Sequence, residues 1–117
     1  MNKEIMLRVW GCSAEERFNS LVKKWKEETA YASSMTDIVY NAHYQQIIGL
    51  GWECIPYIMK ELREDPSHYF YALRMITGVD PIQEKHRGML EGMTEDWLMW
   101  FSAQEWYPFE KIENDDR

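Results

Sequence analysis

Apolar residues recur with helical spacing along most of this chain, and the clearest case lies between Ile47 and Gly78. Ile55, Ile58, Met59 and Leu62 fall at i, i+3, i+4 and i+7, which puts them on one face of an α-helix. Lys60, Glu61, Arg63 and Glu64 take the other face. Pro56 lacks an amide donor and fits only in a first turn, so the spacing predicts a start near Glu53, after the Gly49-Leu50-Gly51 break. Asp65-Pro66 should end this helix, because a residue before proline disfavours the helical region. Ser67 is then placed to cap a second helix, in which Tyr69, Leu73 and Ile76 share a face flanked by Phe70 and Ala72. Gly78 is its natural stop. A connection this short predicts antiparallel neighbours.

The flanks carry weaker versions of the same pattern. Ser13-Ala14-Glu15-Glu16 is a capping box, and Phe18, Leu21, Val22 and Trp25 give a helical face that predicts a helix from Ala14 to about Tyr31. Ser33-Ser34-Met35-Thr36-Asp37 interrupts it, with Thr36 as a candidate cap for Asp37 to Tyr40. Asn41 breaks again, and Ala42 to Leu50 predicts a short helix with Ile47 and Ile48 inward. Val79 to Arg87 reads as a loop. A last helix is predicted from about Met89 to Gln104, with Leu90, Met93, Trp97, Trp100 and Phe101 on its apolar face. Gly92 should weaken that helix by ~1 kcal/mol relative to alanine. Thr94 offers it a competing start, and Pro108 forbids continuation. Met1 to Gly11 reads as an arm packed on the core. The expected organisation is one helical domain over residues 1–109 and a charged, disordered tail over 110–117.

The central pair, through Gly51, Pro56, Ile58, Leu62, Ala72, Leu73, Ile76 and Gly78, resembles a HEAT-like helical hairpin. A longer likeness runs through Trp25, Glu28-Thr29, Ser33-Ser34, His43-Tyr44-Gln45-Gln46-Ile47-Ile48-Gly49, Pro56, Leu62, Phe70, Ala72-Leu73, Ile76-Thr77-Gly78, Pro81, Gly88, Met93, Trp97-Leu98 and Trp100. On these residues the chain resembles a family of short, uncharacterised bacterial proteins. The likeness implies a fold and no chemistry. Tyr69-Phe70-Tyr71 stands where the family pattern has a Trp-Phe-Trp-like triplet, which keeps the aromatic volume and changes its polar tips. Only one such hairpin is present and solenoids need about three repeats, so the expectation is an all-α, single-domain, HEAT-like bundle of about five helices.

Composition narrows the function classes. The net charge is −7, and residues 91–117 hold eight acids against Lys111 and Arg117, so the acidity is concentrated at the C-terminal end. Such a balance argues against general phosphate or nucleic-acid binding, which needs a basic surface. It fits an acidic end offered to a basic partner. At 117 residues, with six Trp, seven Tyr and four Phe, the chain can build a core without disulfides or metal and still leave aromatics at its surface. Cys12 and Cys54 have no paired spacing and read as free thiols of a reducing compartment. No signal peptide or membrane-length apolar run is visible, so a cytoplasmic location is expected, with no membrane partner.

Candidate chemistry is sparse. His43, His68 and His86 form no metal-ligand spacing; His43, Cys54 and His68 would have to converge across helices to hold zinc, and no metal or cofactor is expected. Cys54 with His43 or His68 is the one conceivable nucleophilic pair, but Ile55 and Ile58 beside it point to burial. Gly49-Leu50-Gly51 lacks the lysine of a phosphate loop and reads as a turn. Glu28 closes the first helix beside Thr29, Ser33 and Ser34. Those serines either cap helix ends or join Glu28, His43 and Tyr44 in a polar contact patch. Tyr69 and Tyr71 sit about 200° apart on a helix and cannot both face inward, so one of them, with Trp52, Trp106 and Tyr107, is a contact candidate. The expected function is a non-enzymatic protein-interaction module binding through Glu28, Ser33, Ser34, His43, Tyr44 and Tyr71, with a protein partner of unknown identity. The alternatives are an antitoxin or immunity-like protein that neutralises a small bacterial effector, and a small Cys/His hydrolase.

Overall fold

A computed structural model describes residues 13–64, 66 and 68–104. The predicted N-terminal arm, Asp65, Ser67, Trp106, Tyr107, Pro108 and the charged tail lie outside them. Among the described residues there are six α-helices and no strand: α1 Ala14–Glu28, α2 Met35–Val39, α3 Ala42–Gly49, α4 Ile55–Glu64, α5 Phe70–Thr77 and α6 Leu90–Ser102. Single 3₁₀ turns at Gly51–Cys54 and Glu84–His86 complete the order. The all-α expectation holds.

Local chemistry explains most of the boundaries. The capping box forms as expected: the Glu16 amide donates to Ser13 Oγ and the Ser13 amide donates to Glu16 Oε1, both at 3.1 Å. Helix α1 stops at Glu28, short of Tyr31, because Thr29 leaves the helical region at ψ 14 and its hydroxyl bonds back to the Trp25 carbonyl at 2.8 Å. Ser34, and not Thr36, caps α2 by accepting from the Asp37 amide at 3.0 Å. Asn41 is a cap as well as a break, accepting from the His43 and Tyr44 amides at 2.8 and 3.1 Å. The turn Gly51–Cys54 leads into α4, which places Pro56 in the first helical turn. Gly78 closes α5 with φ 75, a conformation that favours glycine.

Three further expectations need correction. The last helix begins at Leu90, which stands 53% exposed and is not on the apolar face. Thr94 is buried within the helix and starts nothing. In the central pair, Leu62 and Leu73 are both fully buried, as predicted, yet the closest backbone packing lies elsewhere: α3 sits against α1 and α5, and α4 against α6. Helices α4 and α5 meet where Tyr69 donates to Glu61 Oε1 at 3.0 Å.

One continuous core runs through Phe18, Leu21, Val22 and Trp25 of α1, Tyr44 and Ile47 of α3, Ile55, Ile58, Met59 and Leu62 of α4, Ala72 and Leu73 of α5, and Trp97 of α6. Its centre is aromatic. Trp25 packs on Tyr44 at 5.0 Å and on Tyr69 at 5.3 Å between ring centroids, distances at which tilted and edge-on rings attract. Trp25 also donates its indole N–H to the Ile38 carbonyl at 3.0 Å, which ties α1 to α2. No helix among the described residues is long and apolar enough to cross a membrane.

Candidate functional site

The C-terminal end of α1 meets the N-terminal end of α3, and there the structure brings two of the predicted site residues into direct contact. Glu28 Oε1 accepts from Asn41 Nδ2 and pairs with His43 Nδ1, both at 2.8 Å. The second carboxylate oxygen takes no bond among the described residues. The bond from Asn41, then the one from His43, hold the Glu28 carboxyl below its ordinary range; Lys24 one turn back adds a minor charge effect. With an ionised carboxylate at Nδ1, the neutral His43 ring carries its proton there and offers Nε2 as an acceptor. The side chains of Glu28 and His43 are 47% and 26% exposed, so this pair faces water.

Tyr44 is different. It is fully buried, donates its hydroxyl to the His68 carbonyl at 2.5 Å and accepts from the Ala72 amide at 3.0 Å. Ala72 is the third residue of α5, whose early amides have no intrahelical partner. Tyr69 precedes that helix with no side-chain capping bond, and the Tyr44 hydroxyl from α3 satisfies one of its early amides; the predicted Ser67 cap lies outside the described residues. Burial raises the Tyr44 hydroxyl above the usual phenol range, against a smaller opposite effect of the Ala72 amide. Tyr44 is thus a core support and not a contact residue.

Tyr71 is half-buried while Tyr69 is wholly inside, which resolves the pair as the helical geometry requires. The Tyr71 ring lies between Tyr44, at 6.3 Å, and Tyr40, at 6.4 Å and edge-on. Tyr40 is 64% exposed and covalently adjacent to Asn41; Met75, one turn beyond Tyr71 on α5, is 48% exposed. Ser33 and Ser34 are exposed, and Ser34 acts as the α2 cap. Met75, Tyr71, Tyr40, Asn41, His43 and Glu28 thus follow one another by helix register, ring contact, chain adjacency and hydrogen bond, and are taken together as one strip. Tyr40 and Asn41 were not among the site residues expected from the sequence, because only the packing of α2 on α3 brings them to this face.

A second cluster has no counterpart in the sequence reading. Asp96 of α6 is buried and its carboxylate accepts three bonds, from the Gln83 amide at 2.9 Å, Gln83 Nε2 at 3.0 Å and His86 Nδ1 at 2.8 Å. Burial pushes this carboxyl up, but the Gln83 amide, the His86 ring and the Gln83 side chain together outweigh it and hold it below the ordinary range. Gly92 is the seat: a Cβ there would stand 2.6 and 2.7 Å from Cγ and Cδ2 of His86. Beside it, Arg87 Nη2 bonds Asp80 Oδ2 at 2.9 Å and keeps the Asp80 carboxyl low. The cluster fastens the segment 79–89 onto α6. Gly92, read from sequence as a weak point, was the only signal for it.

The thiol of Cys54 is fully buried, donates to the Ile47 carbonyl at 3.5 Å and is pushed up by burial to about 12. A thiol so placed is a small apolar core group at neutral pH and no nucleophile. Among the described residues no three His, Cys, Asp or Glu side chains gather to hold a metal ion, so His43, Cys54 and His68 do not converge. Trp52 is half-buried against Trp100, 6.3 Å away, and is core margin before it is contact surface. No protein-family model, curated protein or solved structure matches the chain.

Proposed function

We propose that the chain is a non-enzymatic protein-interaction module that engages its partner through the strip from Met75 to Glu28. The observation that carries this reading is the exposure of Tyr40 and Met75 on either side of Tyr71, whose ring is itself braced by the buried Tyr44. Exposed aromatic and methionine side chains held in place by a core lose little freedom on binding, and such residues dominate interface energetics. The burial of Cys54 supports the non-catalytic side of the reading over a Cys/His hydrolase. A HEAT-like adaptor is the form that the resemblance of the central helices favours, and neutralisation of a small basic effector is the form that a net charge of −7 favours.

The test is co-purification with the full chain as bait in its source cells, beside the double variant Tyr40→Ser, Met75→Ser. Both side chains are exposed, so the variant should unfold at the parent temperature. A stoichiometric partner held by the parent chain and lost by the variant supports the reading; a partner held equally by both refutes this face.

A further inference from the structure

The geometry points to Tyr69 as a redox-active tyrosine: an oxidising equivalent taken up by Trp25 passes to its ring while its phenolic proton moves to the Glu61 carboxylate. This goes beyond the interaction reading and does not depend on it.

Trp25 stands between two tyrosines in the core, Tyr44 at 5.0 Å and Tyr69 at 5.3 Å between centroids. Indoles and phenols are among the side chains that give up a single electron most readily, and electron transfer between rings this close is not limited by distance. What separates the two tyrosines is the fate of the proton. A phenol that loses an electron becomes a very strong acid, so it holds the hole only where a base takes its O–H proton in the same event. Tyr44 donates its hydroxyl to the His68 carbonyl. An amide carbonyl accepts a hydrogen bond but is far too weak a base to keep the proton, and burial already holds the Tyr44 hydroxyl above the usual phenol range. Trp25 is restricted in the same way. Its indole N–H lies on the Ile38 carbonyl at 3.0 Å, so its radical cation keeps its proton and stays a strong oxidant. Of the three, Tyr69 is the one that donates to a carboxylate, Glu61 Oε1, at 3.0 Å.

The surroundings favour the exchange. Tyr69 and Trp25 are 0% and 2% exposed, which keeps their rings from meeting a second radical or a large reductant. Glu61 reaches the surface, with its side chain 28% exposed and Lys26 at 3.4 Å. It lines a polar cleft with Glu15, Asn19, Lys60 and Glu64, through which the proton can pass on to water. In the full cycle one electron leaves Trp25 for an external one-electron oxidant. One electron then moves from Tyr69 to Trp25 and restores the indole, and one proton moves from the Tyr69 hydroxyl to Glu61. The bond that joins α4 to α5 survives with its direction reversed, the Glu61 acid donating to the Tyr69 oxygen. A one-electron reductant such as a thiolate returns the electron, and the proton goes back.

The test uses the full chain, photogenerated tris(bipyridine)ruthenium(III) as the oxidant, and freeze-quenched electron paramagnetic resonance. Exposed phenols such as Tyr31 and Tyr40 are oxidised too, and a brief ascorbate step clears them. A phenoxyl signal should survive ascorbate in the parent chain and be lost in Tyr69→Phe. Glu61→Gln keeps a hydrogen-bond acceptor at a half-exposed position but removes the base, and it should abolish the surviving signal as well. Transient absorption of the parent should show the indole radical decaying as the phenoxyl rises, more slowly in D2O than in water, and this isotope effect should be absent in Glu61→Gln. A bond that serves the fold alone has no such effect, and the parent measurement needs no variant to fold. Absence of any ascorbate-resistant phenoxyl, its persistence in Tyr69→Phe or in Glu61→Gln, or equal decay in water and D2O would each overturn the inference.

Discussion

Tyr44→Phe removes one oxygen atom from the middle of the molecule and leaves the packing of the ring on Trp25 intact. Two backbone groups lose their partner. The Ala72 amide belongs to a residue with no exposed surface and sits in the first turn of α5, where it has no intrahelical carbonyl. Leaving such a donor unsatisfied costs about 1–3 kcal/mol. His68 is only half-buried, so water can recover part of its carbonyl's loss, which adds ~0.5–1 kcal/mol to the cost. The expected destabilisation is therefore about 1.5–4 kcal/mol, a fall in Tm of roughly 6–16 °C for a domain of this size. Urea unfolding followed by circular dichroism measures the loss, and amide exchange at Ala72 localises it to the start of α5. The substitution should also change the alkaline limb. Burial raises the native Tyr44 hydroxyl above its ordinary value of 10.0, so its contribution is complete below about pH 10 and disappears as pH rises beyond, because only the unfolded chain ionises readily there. The phenylalanine protein should show a flatter alkaline fall. A loss under about 0.5 kcal/mol with unchanged Ala72 protection would refute the capping role and with it the account of how α3 organises α5.

Three further outcomes follow from other parts of the fold. Gly92→Ala, usually a gain of ~1 kcal/mol inside a helix, should instead cost about 1–3 kcal/mol, because the new methyl meets the base of the His86 ring; urea midpoints of the single variants and of the double variant with His86→Ala would show positive coupling, and simple additivity would count against the seat. Cys54, pushed up to about 12 and enclosed, should react with iodoacetamide at pH 8 roughly 100-fold or more slowly in the native protein than in urea, read by mass spectrometry of its peptide; similar rates would contradict its burial. Asp96, whose native carboxyl lies below its ordinary value of 3.8, contributes stability above that value and loses it as pH falls through the native one. Asp96→Asn should therefore lower the urea midpoint at pH 7 and flatten its acid decline, and parallel curves for variant and parent between pH 7 and 2 would refute the fastening of segment 79–89.

The amphipathic stripes alone determined the class of fold. Ile55, Ile58, Met59 and Leu62 on one side of a helix, and Phe18, Leu21, Val22 and Trp25 on another, are buried as their spacing requires, because a 3.6-residue period and the aversion of such side chains for water leave one arrangement per helix. Short-range chemistry was legible in the same way: the Ser13–Glu16 box and the Gly78 stop depend on groups within a few residues of each other. The candidate site was legible only in part. Glu28 and His43 do meet and Tyr71 is half-buried between Tyr40 and Tyr44, but Ser34 serves as a cap and Tyr44 as an internal one. What the tertiary structure decided was every pairing between helices. Stripes state which face turns inward and say nothing of which other face it meets, so α4 settles on α6 and α5 on α3 for reasons of shape that no single helix carries. For the same reason the Asp96–His86 fastening left no mark in the sequence beyond a glycine. A bond across ten residues of irregular chain depends on where the loop lands, and the packing of the whole molecule determines that position.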